Sequence, residues 1–195
     1  RTSPQRHVNL SFPVQTHFAQ ENDTDAAREI YFMGLAATRG AQQPWHLKES
    51  WLREHNMCVV PCPNPVEASI VDGFIEACDE SGYRAAHSIC HDLPLNESPV
   101  YCLQLQRSTF AEFFHDNLFC EQLLIVERGA ALFLLGKDEH CLIAGPRAFV
   151  ERSVGRDVSA YYDSFVEEYA KSFPSEVSRR YLCDLAAEYR RIAGV

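Results

Sequence analysis

No run in this 195-residue chain approaches the ~18 consecutive apolar residues that a membrane-crossing helix needs. Arg1 and Arg6 near the start are followed by no apolar stretch, so a secretory signal is not expected and a cytoplasmic location is. A basic excess is missing too. The net charge of −9 argues against a nucleic-acid partner, whose phosphates are held by Lys and Arg. There is no repeat of 20–50 residues, no low-complexity tract and no linker long enough to separate domains. The glycine-rich dinucleotide and phosphate loops, the H-E-x-x-H zinc motif and the G-x-S-x-G nucleophile elbow are all absent, which removes the usual support for nucleotide-binding and common hydrolase chemistries. No C-x-x-C pair occurs.

What the chain does have is a dense apolar stretch from Cys120 to Gly155. Leu123–Val126, Ala130–Leu135 and Cys141–Ala144 are short, rich in β-formers and apolar on both sides, the pattern of strands buried on both faces. Arg128-Gly129 and Gly136-Lys137-Asp138-Glu139 separate them, and links this short force antiparallel neighbours. Gly145-Pro146 ends the third strand and starts a helix carrying Phe149, Val150 and Val154, with Gly155 as its stop. A sheet this apolar needs cover on both faces, and the remainder of the chain must supply it.

Before that stretch, residues 1–22 read as an extended arm, with Val8–Phe12 alternating like an edge strand, and 23–195 as one domain. Asp23 or Thr24 caps a first helix with Ala27, Ile30, Tyr31, Gly34 and Thr38 on one face, closed by Arg39-Gly40. A short helix follows between Trp45 and His55. Met57–Val60 is a strand ended by Pro61-Cys62-Pro63. Asn64, Pro65 and Glu67 then look like the cap, first residue and capping-box partner of a helix with Val66, Ile70, Phe74, Ile75 and Cys78 inward. With a strand from Tyr83 to Cys90 this makes a β-α-β unit, implying two parallel strands. Val100–Gln106 is a further strand, and Ser108 caps a short aromatic helix. After Gly155 come two amphipathic helices, broken by Pro174 and ending at Arg190-Arg191, expected as an αα-hairpin. The fold class is therefore α+β: a mixed sheet of five or six strands, one β-α-β unit and an antiparallel meander, covered by helices.

Cys58, Cys78, Cys102, Cys120, Cys141 and Cys183 sit among apolar residues, as reduced cysteines packed like small hydrophobes do. The strongest candidate site is the carboxyl edge of the β-α-β unit. If its strands are neighbours, Cys62, Cys90 and His91 meet there, with Cys58 and His87 close by. Thiolate and imidazole would suit zinc, or Cys62 or Cys90 could act as a nucleophile activated by His87 or His91. The competing expectation is structural: buried strand cysteines and two loop histidines. Glu167-Glu168 and Asp138-Glu139 are expected on solvated faces, and His140 at a strand entry, bonded to backbone. Tyr161, Tyr162, Tyr169, Tyr181 and Tyr189 fall mostly on the inward stripe of the last two helices, although tyrosine also suits interfaces.

These features favour a non-enzymatic protein-binding module with no cofactor, whose acidic surface docks on a basic protein partner, as in a bacterial inhibitor or immunity protein. The alternatives are an enzyme or zinc-binding protein using Cys62, Cys90 and His91, and a homodimer that buries exposed tyrosines.

Overall fold

The computed structural model describes residues 16–18, 20–36, 46–64, 68–90, 99–116, 121–136 and 140–195. In chain order the elements are β1 (Thr16–Phe18), α1 (Glu21–Gly34), β2 (Leu35–Ala36), β3 (His46–Leu47), α2 (Glu49–Glu54), β4 (Cys58–Pro63), α3 (Ala68–Glu80), β5 (Ala85–Cys90), β6 (Val100–Gln104), α4 (Arg107–Asp116), β7 (Gln122–Val126), β8 (Ala131–Leu135), β9 (His140–Gly145), α5 (Arg147–Val154), α6 (Val158–Ser164) and α7 (Glu176–Ala193). The fold is α+β, with a seven-stranded sheet in the order β1-β6-β5-β7-β8-β9-β4 and a separate β2-β3 pair.

The meander forms as its apolar runs dictate. β7, β8 and β9 are consecutive antiparallel neighbours, with Leu124 opposite Phe133 and Phe133 opposite Ile143. All of their residues are buried. The β7–β8 turn needs left-handed backbone three times running, at Glu127, Arg128 and Gly129 (φ +94°), and only the last is a glycine. Helices cover both faces. On one face Phe74 of α3, Phe110 of α4 and Phe149 of α5 converge around Phe133, with ring centroids 5.0–5.9 Å apart. α1 lies on the other face, against β5 and β7. α3 and α5 approach closely because Gly73 offers no side chain: a Cβ there would lie 2.2 Å from the Ser153 carbonyl oxygen.

The pairing of β4 and β5 differs from the expected parallel unit. β4, α3 and β5 follow in that order, and the two strands run in the same direction, but β9, β8 and β7 lie between them. Every described pairing is antiparallel. Pro61 and Pro63 do not end β4; they lie inside it, opposite Leu142 and His140. β4 is an edge strand, so a proline whose missing N–H faces outward costs no ladder bond. The C-terminal helical hairpin closes that edge. The Tyr162 hydroxyl donates to the Val59 carbonyl, and the Tyr169 hydroxyl accepts from the Asn64 N–H at 3.1 Å and donates to the Asn64 carbonyl at 3.2 Å. On α7, the Tyr189 hydroxyl accepts from the Leu47 N–H at 3.0 Å. Tyr161, Tyr162 and Tyr189 are buried, so their packing role prevails. A π-helical turn at Phe165–Tyr169 follows α6 and re-aims Tyr169 at the end of β4.

Other boundaries shift. α1 begins at Glu21, before both expected caps, and ends at Gly34; Arg39-Gly40 lies outside the described residues. Val8–Phe12, Pro65–Glu67, Cys120 and Asp138-Glu139 also lie outside them. The described strand nearest the amino end is β1, paired with β6. Asn64 reaches across the sheet: its side-chain amide donates to the Gly136 carbonyl at 3.1 Å, and its Oδ1 accepts from the Cys141 thiol at 3.7 Å.

Candidate functional site

The carboxyl-edge site would need Cys62 and Cys90 side by side. They close their strands at the same edge of the sheet, but four interstrand steps separate them, a distance of about 19 Å. His91 lies outside the described residues. Cys62 is fully buried, with its thiol 4.0 Å from the Val60 carbonyl. None of the seven described cysteines is in a disulfide. Burial pushes the thiols of Cys58, Cys78 and Cys141 up to about 11, 12 and 12, so at neutral pH they stay protonated and behave as packing groups. Among the residues whose side chains are described, no three His, Cys, Asp or Glu groups gather where they could hold a metal.

A groove of about 590 Å³ runs between α3, α5 and the π-helical turn. Glu76, Arg152, Arg156, Glu168 and Tyr169 are among its lining residues, and cysteine and histidine are not. Both of its arginines are engaged locally: Arg152 pairs with Glu80 at 3.0 Å, and Arg156 donates to the Ser164 hydroxyl at 3.0 Å. Glu167 and Glu168 are exposed, as expected.

The most distinctive described surface lies on α1. Its inward stripe is Ala27, Tyr31 and Leu35 at its end, all buried, and its Gly34 backs onto the Trp51 ring. The outward stripe is Asp25, Glu29, Phe32 and Met33, at spacings i, i+4, i+7 and i+8, which share one side of a helix. Phe32 is 63% exposed and Met33 56%. Large apolar side chains are rarely left so open in pairs. The end of the helix is pinned where it presents them, because Lys48 Nζ donates to the Phe32 carbonyl at 2.6 Å.

Charge accumulates on the same side. Many described arginines are consumed in ion pairs: Arg53 and Arg191 with Glu49, Arg84 with Asp79, Arg107 with Asp72, Arg147 with Glu151, Arg190 with Asp163. The two guanidiniums on Glu49 hold its carboxyl down at about 2. Among the described residues no cation pairs with Asp25 or Glu29, so part of the net negative charge stands uncompensated beside Phe32 and Met33.

Comparison of the sequence with family models and with curated proteins, and of the fold with solved structures, returns nothing similar.

The α1 surface was open to sequence reasoning in one respect. Phe32 and Met33 fall off the apolar stripe through Ala27, Ile30, Tyr31 and Gly34, and two large apolar residues off-stripe are the mark of a face that packs elsewhere or nowhere.

Proposed function

We propose that this chain is a non-enzymatic protein-binding module that docks the outward face of α1 on a basic protein partner in the cytoplasm. The observation that carries this reading is the juxtaposition of exposed Phe32 and Met33 with uncompensated Asp25 and Glu29 on one helical side. Aromatic and methionine side chains supply the desolvated centre of an interface, and carboxylates at its rim steer a cationic partner and set register. The inhibitor or immunity-protein version fits a helix held rigidly on a buried sheet, since a preorganised face loses little entropy on binding. Burial of Cys58, Cys62, Cys78 and Cys141 and the separation of Cys62 from Cys90 give the enzymatic alternative no comparable support.

The test is to mix the purified chain with the products of genes adjoining its own. A basic product should form a complex that associates about ten-fold more slowly when salt is raised from 0.05 to about 0.5 M. Asp25→Lys with Glu29→Lys should slow association further. Phe32→Ser with Met33→Ser should speed dissociation while leaving the fold intact, because neither side chain belongs to the core. No complex with any adjoining product at low salt, or a complex indifferent to all four substitutions, overturns the proposal. Self-association of the wild type through this face, read by light scattering, would assign the surface to a second copy and equally overturn the basic-partner reading.

A further inference from the structure

The groove between α3, α5 and the π-helical turn holds charge that the fold does not neutralise. Ser69, Asp72, Gly73 and Glu76 share one stripe of α3, at spacings i, i+3, i+4 and i+7, and all four line it. Its other wall carries Arg156, Ser164 and Glu168, with Ser164 one turn before Glu168. Two of the charged groups are consumed: Asp72 pairs with Arg107 at 2.6 Å, and Arg152 with Glu80 at 3.0 Å. The rest are not. Among the described residues no cation pairs with Glu76 or Glu168. No carboxylate among them pairs with Arg156, whose guanidinium donates to the neutral Ser164 hydroxyl. Two carboxylates and one guanidinium therefore stand open over a floor of buried Ile70, Val154, Tyr161 and Phe165.

We infer that this groove is a binding site for a short peptide that carries one carboxylate and two cationic groups. A di- or tripeptide with lysine or arginine at its amino end has that charge set: the α-ammonium, the basic side chain and the terminal carboxylate. Its excess of one positive charge complements the groove's excess of one negative charge. Arg156 keeps further N–H donors, in the planar fork that suits a carboxylate. Glu76 and Glu168 stand on different walls, so they suit two cationic groups of one molecule and not a single metal ion. The apolar floor takes the aliphatic stem of the basic side chain and an apolar residue at the carboxyl end.

Two further observations bear on the site. A volume of about 590 Å³ lies within the roughly 300–1,000 Å³ of pockets that take a drug-sized molecule, which is the size of such a peptide. Phe165, Glu168 and Tyr169 all belong to the π-helical turn and all line the groove, and turns of this kind, rare in helices, recur at functional sites. The groove shares no residue with α1 and lies on the other side of the sheet, so it is independent of the docking face.

The experiment titrates the full chain with lysyl-alanyl-leucine by calorimetry. The expected result is one peptide per chain with a Kd on the order of 10–100 μM. Amidating the peptide's carboxyl end should weaken binding about ten-fold, and so should Arg156→Gln, while the two changes together should cost no more than either alone. Glu76→Gln and Glu168→Gln should each weaken binding about ten-fold. All three side chains are exposed, and the thermal midpoints of the variants should match the wild type. Phe32→Ser with Met33→Ser should leave the affinity unchanged, which separates this site from the α1 face. No saturable binding by the wild type, equal affinity for glutamyl-alanyl-leucine, or affinity untouched by all three groove variants overturns the inference. Tighter binding of spermidine than of the peptide, indifferent to Arg156→Gln, would assign the groove to a polyamine and equally overturn it.

Discussion

Replacing Gly73 by alanine is expected to destabilise the protein by about 3 kcal/mol, lowering its melting temperature by about 6–12 °C. Local propensity predicts the opposite sign. Gly73 lies within α3, and alanine there should gain about 1 kcal/mol over glycine if nothing else mattered. Tertiary packing decides the outcome. The added methyl would stand 2.2 Å from the backbone carbonyl oxygen of Ser153 on α5, and backbone cannot swing aside as a side chain can. Relief requires the two helices to separate, which loosens Phe74 and Phe149 from their edge-on contact and opens the layer over Phe133. Chemical denaturation of the variant checks this, and an unchanged or raised midpoint would mean that α3 and α5 are not packed this closely.

The second large effect is a loss of stability in mild acid, traceable to one histidine. His140 opens β9 opposite Pro63 and is only 3% exposed. Its Nδ1 is buried without a hydrogen-bond partner, so the expected bond to backbone does not form at that atom. The Tyr181 ring stands 5.6 Å away, and His46 lies near enough to disfavour a charge on the His140 ring. Burial first, and His46 second, push the imidazole from 6.5 down to about 4. Above pH 6.5 the ring is neutral whether the chain is folded or not, and it contributes no pH dependence. As pH falls from 6.5 towards 4 the unfolded chain takes up a proton that the folded one refuses, so stability drops across that window and levels off below it. The full drop is on the order of 3 kcal/mol. Glu49 acts lower, because its contribution is complete above 4.5 and lost as pH falls towards 2. Denaturation midpoints at pH 7 and pH 5 therefore isolate the histidine. His140→Leu should remove most of the difference between them, and an equal difference in wild type and variant would contradict this assignment.

Local signals fixed much of this architecture. Three β-rich runs with turn residues between them gave the meander, and its bounds agree with the structure to within about a residue or two. Gly145-Pro146 and Gly155 bracket α5, and the last helix starts after Pro174 and carries Arg190-Arg191 in its final turn. In each case the determinant lies within a few residues of the element it sets. What escaped sequence reading depends on distant partners. Pro61-Cys62-Pro63 signals an ending only in a central strand, and nothing nearby reveals that β4 lies at the edge, covered by tyrosines about 100 residues away. The same ignorance of strand order made Cys62 and Cys90 neighbours. The π-helical turn at Phe165–Tyr169 leaves no mark in a stripe that reads as ordinary helix.

The proposed docking role rests on a sheet whose centre is fully committed to packing, leaving recognition to α1. Native-state hydrogen exchange tests that arrangement most directly. The amides of β7, β8 and β9 should exchange only through global unfolding, with equal free energies of opening, while those of β1 and of the first turn of α1 should open locally at much lower cost. Exchange of the Leu123–Val126, Leu132–Leu134 and Cys141–Ala144 amides as fast as those of β1 would contradict a floor buried on both faces.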